Sequence, residues 1–150
     1  MKIINIKDRE FYLVAVLIVI FFGISAATIT GSAVRDAIFL IKYEKKFLPL
    51  MYVIIAVVMT FVIELYKLVS IKKNPSTFFV LSGSFFIASL FVFHQNLFGP
   101  MVPLLYVWVE VITILVIIQF WIIASELLDT RQAKRIFPII TAGGSFAAIG

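Results

Sequence analysis

The uncharged runs of the chain mark its elements. Residues 11–34 carry no charge, and a helix needs about 20 apolar residues to cross about 30 Å of hydrocarbon, so this run predicts helix 1. Residues 47–63 form a second run. Helix 2 is expected over about 47–69, because Lys67 can carry its ammonium out to the interface on an apolar stem. Residues 74–109 are too long a run for one span. The polar group His94, Gln95 and Asn96, followed by Gly99, Pro100 and Pro103, breaks it. Helix 3 is therefore expected over about 76–95 and helix 4 over about 101–127. A fifth apolar segment begins at Ile136 and runs to Gly150 without a polar flank or a cap. It reads as an incomplete fifth helix, and the chain as the N-terminal part of a longer protein, the remaining half lying beyond Gly150. The fold class is all-α: a polytopic transmembrane helical bundle with four full spans and the start of a fifth.

Composition narrows the class without adding an activity. Hydrophobic residues make up 63% of the 150 and charged residues only 14%. Soluble domains run near 45–50% and about 25%. A soluble globule of this size has too little polar surface to cover so much Phe, Ile, Leu and Val, and a disordered chain lacks apolar bulk. Lys2 and Lys7 followed by residues 11–22 imitate a signal peptide, but the apolar pattern continues past it and further spans follow, so a retained helix 1 is expected. The absence of cysteine excludes disulfides, thiolate metal sites and cysteine nucleophiles.

The net charge of +5 reads as topology rather than nucleic-acid binding. Lys2, Lys7 and Arg9 precede helix 1; Lys67, Lys72 and Lys73 follow helix 2; Arg131, Lys134 and Arg135 follow helix 4. These nine share one side. Arg35, Lys42, Lys45 and Lys46, between helices 1 and 2, are the four on the other. The excess places the N-terminus in the cytoplasm. Four basic residues are more than a passive outer loop should carry, and Asp36 and Glu44 do not cancel them.

Several positions carry candidate chemistry. Ser25, Thr28, Ser32 and Arg35 are spaced 3, 4 and 3, which puts them on one helical face. The hydroxyls either bond the carbonyl one turn back or line a water-filled cavity that ends in a charge. Gly23, Ala27 and Gly31 lie roughly opposite and suit close approach of another helix. Glu110 is the most informative residue. A carboxylate inside a span costs about 2.5–3.5 kcal/mol on insertion scales, so it faces the interior, finds a cation or proton, or lies near the interface. Tyr106, Thr113 and Trp121 share its side of helix 4; Gln119 and Glu126 take the other. Glu64 and Lys67 read as a surface pair at i,i+3. His94 has no partners at ligand spacing, so no metal site is expected. Arg131, Lys134 and Arg135 form a compact cytoplasmic loop that anchors topology in the headgroup zone. Gly143-Gly144 suggests a close helix contact. No phosphate-cradling loop, zinc-protease helix or Ser-His-Asp set occurs, so no enzymatic activity and no cofactor is expected.

Three blocks in order resemble the bacterial and plastid ATP/ADP translocase family of nucleotide transporters, within the wider major facilitator group. The first is Arg35-Asp36-Ala-Ile-Phe-Leu with the later Phe47-Leu-Pro-Leu; the second is Tyr106-Val-Trp-Val-Glu110. The third joins Gln119-Phe-Trp121, Ala133-Lys134-Arg135-Ile-Phe-Pro138 and Gly143-Gly144-Ser-Phe-Ala-Ala-Ile-Gly150. This chain has Arg35 where characterised exchangers usually have Lys, and Val-Ile after Glu110 where Leu-Trp is common. The resemblance implies about twelve spans in the whole protein and exchange of ATP for ADP by alternating access in a bacterial inner membrane. Arg35 would then contact phosphate and Glu110 would line the central cavity with Ser25, Thr28, Ser32, Tyr106 and Thr113. Lys42 and Lys46, with Lys45, would draw anions to the outer mouth. The competing expectation is a membrane anchor or sensor module that carries a soluble regulatory domain downstream and moves nothing.

Overall fold

The computed structural model describes residues 8–70, 74–95 and 101–146. Lys2, Lys7, Lys72, Lys73, the Gly99-Pro100 break and Gly150 lie outside the described residues, as do the side chains of Arg9 and His94. The order is α1 (Asp8–Lys42), a 3-10 turn (Lys45–Phe47), α2 (Leu48–Ser70), α3 (Pro75–Gln95), α4 (Met101–Leu127) and α5 (Thr130–Phe146). The fold is all-α, with no strand among the described residues.

Among the described residues, four helices are long and apolar enough to cross a membrane: Phe11–Lys42, Lys45–Leu68, Pro75–Phe93 and Met101–Leu127. Their outward surfaces suit hydrocarbon. Ile41 is 82% exposed, Phe61 73% and Ile87 72%, apolar area that water would penalise.

Local signals set most helix ends. Pro75 opens α3, where a missing N–H costs nothing, and the Asn74 carbonyl accepts the Phe78 N–H at 3.0 Å. Pro103 lies in the first turn of α4, where its missing N–H is equally harmless. Helix 4 spans the predicted residues and helices 2 and 3 differ from expectation by one.

The two terminal helices differ more. Helix α1 runs eight residues past Val34, to Lys42. Charges at Arg35 and Asp36 interrupt the uncharged run, yet no Gly or Pro breaks the backbone there, and Ala37 to Ile41 are good helix residues. Helix α5 begins at Thr130, six residues before the expected start. Arg131, Lys134 and Arg135 therefore stand on its first two turns and not in a loop. The cause is a cap. Gln132 Oε1 accepts the Asp129 N–H at 3.1 Å, and the Asp129 carbonyl accepts the Ala133 N–H at 2.8 Å. Pro138 sits inside α5 and leaves the Lys134 carbonyl without its usual donor.

The chain forms two compact units. One comprises residues 1–29 and 121–150. In it Val14, Leu17, Ala124, Leu128, Ile136 and Ile140 are buried. Trp121 packs between Phe21 and Phe137, with ring centroids 5.3 and 4.9 Å away. The other unit comprises residues 30–120. Its core joins Phe39, Met51, Ile55, Met59, Phe86, Val102, Tyr106, Val111 and Leu115. Two polar contacts tie α3 to α4 there. The Ser82 hydroxyl donates to Gln119 Oε1 at 2.8 Å, and Trp108 Nε1 donates to Ser89 Oγ at 2.8 Å.

The glycines divide by environment. A Cβ at Gly143 would stand 2.8 Å from Ile18 Cγ2, and one at Gly144 would run into the Phe21 ring and sit 2.9 Å from Ser25 Oγ. The close contact expected of Gly143-Gly144 is thus with α1. Gly23 and Gly31, expected to admit a neighbouring helix, have open space where a Cβ would stand. Gly144→Leu should therefore cost about 1–3 kcal/mol through overpacking. Gly23→Ala and Gly31→Ala should be neutral or gain up to about 1 kcal/mol of helix propensity. Thermal unfolding of the three variants in detergent micelles checks the contrast.

Candidate functional site

The second unit holds one arrangement of charge that an apolar core does not need. Arg35 lies on α1, seven residues or about 10 Å before the helix ends. It is only 7% exposed. A buried guanidinium requires partners, because the ion has lost its water. Arg35 has them on every side. Nη1 donates to Glu110 Oε2 of α4. Nε and Nη2 reach Asp36 Oδ1 at 3.0 and 2.9 Å. The face of the guanidinium stacks on the Tyr106 ring, with Cζ 4.3 Å from its centroid.

Glu110 stands nine residues or about 14 Å into α4. The end of α1 and the start of α4 fall on the same side when four successive helices cross, so both partners sit at similar depth. Tyr106 is one turn before Glu110 and is held from behind by Phe39, ring centroids 4.8 Å apart. Phe39 is in turn one turn after Arg35 on α1 and stacks on Tyr43 at 5.1 Å. The spacing on each helix thus repeats one pattern, a charged residue and an aromatic four apart, and the two patterns face each other. Among the described residues no group meets the buried Tyr106 hydroxyl at hydrogen-bond geometry, although Tyr52 of α2 lies near.

The cluster carries two carboxylates and one guanidinium, a formal excess of one negative charge. Asp36 is 44% exposed and Glu110 26%, so both acids are more open than Arg35. The guanidinium fork is occupied by carboxylates, and Arg offers phosphate oxygens that same planar geometry.

The expected site residues separate into groups. Arg35, Glu110 and Tyr106 meet. Thr113 lies half-buried on α4, one turn beyond Glu110. Ser25 and Thr28 belong to the other compact unit, and Ser32 to this one, so the hydroxyl stripe divides between two units. The Thr28 hydroxyl donates to the Ser25 carbonyl at 3.0 Å, the local backbone bond. Lys42 is exposed in the last turn of α1, seven residues and two turns from Arg35 on nearly the same face. Lys46 pairs with Glu44 at 2.7 Å, with both side chains well exposed, and its ammonium is 5.3 Å from the Phe47 ring centroid. Arg131, Lys134 and Arg135 are exposed on α5 in the first unit. Sequence reasoning gave Asp36 no role beyond loop charge, yet it supplies the second carboxylate. Its position next to Arg35 was the available signal.

Compared with family models, curated proteins and solved structures, the chain matches none.

Removing one partner of a buried ion pair costs about 3–5 kcal/mol, while replacing both by apolar residues is often neutral. Arg35 keeps Asp36 when Glu110 goes, so Glu110→Leu should destabilise by less than that, and the double variant Arg35→Met, Glu110→Leu should recover part of the loss. Unfolding midpoints of single and double variants in micelles read the coupling directly.

Proposed function

We propose that this chain is the N-terminal part of a secondary transporter that moves a phosphate-bearing anion by alternating access, and that the anion is a nucleotide of the ATP/ADP class. The observation that carries the reading is the buried pair between Arg35 of α1 and Glu110 of α4 inside membrane-length helices. Charges at that depth are expensive, and they pay off where they meet a substrate or a gate. The nucleotide class rests on the resemblance of the Arg35-Asp36, Tyr106-to-Glu110 and Ala133-to-Gly150 blocks to ATP/ADP translocases.

The chemistry follows from competition for one guanidinium. In the empty state Glu110 and Asp36 hold Arg35, and α1 is tied to α4. A phosphate oxygen pair displaces Glu110 and unties the helices. Departure of the anion lets the pair re-form. A contact that breaks only when substrate is bound couples occupancy to rocking of one helix group against another. Tyr106 keeps the guanidinium plane in place while its edge exchanges partners. Lys42, Lys45 and Lys46 raise the local anion concentration at that end of the helices. In this reading the N-terminus faces the cytoplasm of a bacterium, by the excess of basic residues on its side. One of the four basic residues assigned to the outer side, Arg35, is buried in a helix, which eases the misfit in that count.

The anchor reading takes the same pair as a brace. Apolar replacement of both partners separates the two readings. The full-length protein in proteoliposomes loaded with ADP should take up labelled ATP. Arg35→Ala and Glu110→Gln should each lower exchange to background. The double variant Arg35→Met, Glu110→Leu should stay inactive while regaining stability. Wild-type protein with no nucleotide exchange, or a double variant that exchanges normally, rejects the transport role of the pair.

A further inference from the structure

A second feature of the same unit lies away from the ion pair and is independent of the transport reading. Between α2, α3 and α4 runs a groove of about 370 Å³, within the size range of small-molecule sites. Its walls include Tyr66, Phe78, Phe85, Trp108, Leu115 and Gln119. The polar atoms of its walls hardly reach its surface. Trp108 Nε1 is given to Ser89, and Gln119 Oε1 accepts from Ser82. The remaining Gln119 Nε2 is sealed in the wall without a partner among the described residues. The groove therefore presents carbon.

Its direction and depth select an occupant. Along α3 it follows the chain from Phe78 to Phe86, eight residues or about 12 Å. Phe78 is three residues from the start of α3 and Tyr66 four from the end of α2, so the groove starts near one membrane surface. It runs inward for close to the depth of one leaflet, about 15 Å of a 30 Å hydrocarbon layer. A single extended hydrocarbon chain of that length fits a groove of about 370 Å³. The mouth is lipid-facing, because Leu65, Leu81 and Phe85 on its rim are exposed. At the surface end, Glu64 and Lys67 follow one another by a turn, both exposed and paired at 2.7 Å. They set one charge of each sign beside the groove, which complements a zwitterionic headgroup.

We propose that this groove holds one acyl chain of a zwitterionic phospholipid, drawn from the leaflet at the α2 C-terminal end. The aromatic walls Tyr66, Phe78 and Phe85 grip the chain by dispersion, and Trp108 closes the deep end. The bound chain fills the space between α2 and α3 that their own side chains leave open.

The test uses the full-length protein in phosphatidylcholine vesicles that contain a phosphatidylcholine with a photo-activated diazirine midway along one acyl chain. Labelled residues are mapped by peptide mass spectrometry. Label on Phe85, Trp108 and Leu115 should exceed that on the exposed Phe61 of α2 several-fold. Leu81→Trp, which fills the mouth from a lipid-facing position, should remove that excess and leave Phe61 labelled as before. Equal labelling of groove and Phe61 overturns the proposal. So does a groove shielded from label in the wild-type protein, the result expected if a side chain of another helix or of a second copy occupies it.

Discussion

Everything specific about the larger unit depends on where the charge of Arg35 goes. A guanidinium inside a membrane-length helix is tolerated only with hydrogen-bonded counter-charges, since the surroundings supply neither water nor dielectric screening. Glu110 answers that demand from α4 and Asp36 from the next position on α1. The pairing fixes the register of α1 against α4, and with it the meeting of Phe39 and Tyr106. Hydrophobic packing alone would not, because in lipid one apolar face is nearly as good as another.

The same constraint explains the division of labour along α4. Towards its N-terminus the helix offers Tyr106 and Glu110 to α1. Between those two it offers Trp108, and further on Gln119, to the serines of α3. Polar groups in a membrane segment must be satisfied within the protein, so each of these contacts acts as a fixed point between helices. The groove between α2, α3 and α4 has both contacts of α4 in its walls, through Trp108 and Gln119.

In the proposed transport role the same pair must also open. Arg35 is buried, whereas Glu110 and Asp36 are partly exposed. Under that proposal the carboxylates are the leaving partners and the guanidinium the fixed one.

The order and limits of helices 2, 3 and 4 were legible in the chain, because hydrophobic runs, Pro75 and Pro103 act locally. So was the identity of the two informative charges, since an Arg and a Glu within or beside apolar runs stand out by their solvation cost. The ends of α1 and α5 were not. A run of uncharged residues stops at Arg35, but the helix does not, because no Gly or Pro breaks its backbone there and the charge finds a partner 75 positions away. The Asp129–Gln132 cap likewise outweighed the charges on the first turns of α5. The hydroxyl stripe looked like one surface from its spacing, but Thr28 bonds its own backbone, a choice that spacing cannot reveal. What the sequence by itself determined was therefore an all-α membrane chain with two charges in need of an explanation. Only the tertiary structure decided that each is the other's partner, because Coulomb attraction depends on distance in space and the chain records distance only along itself.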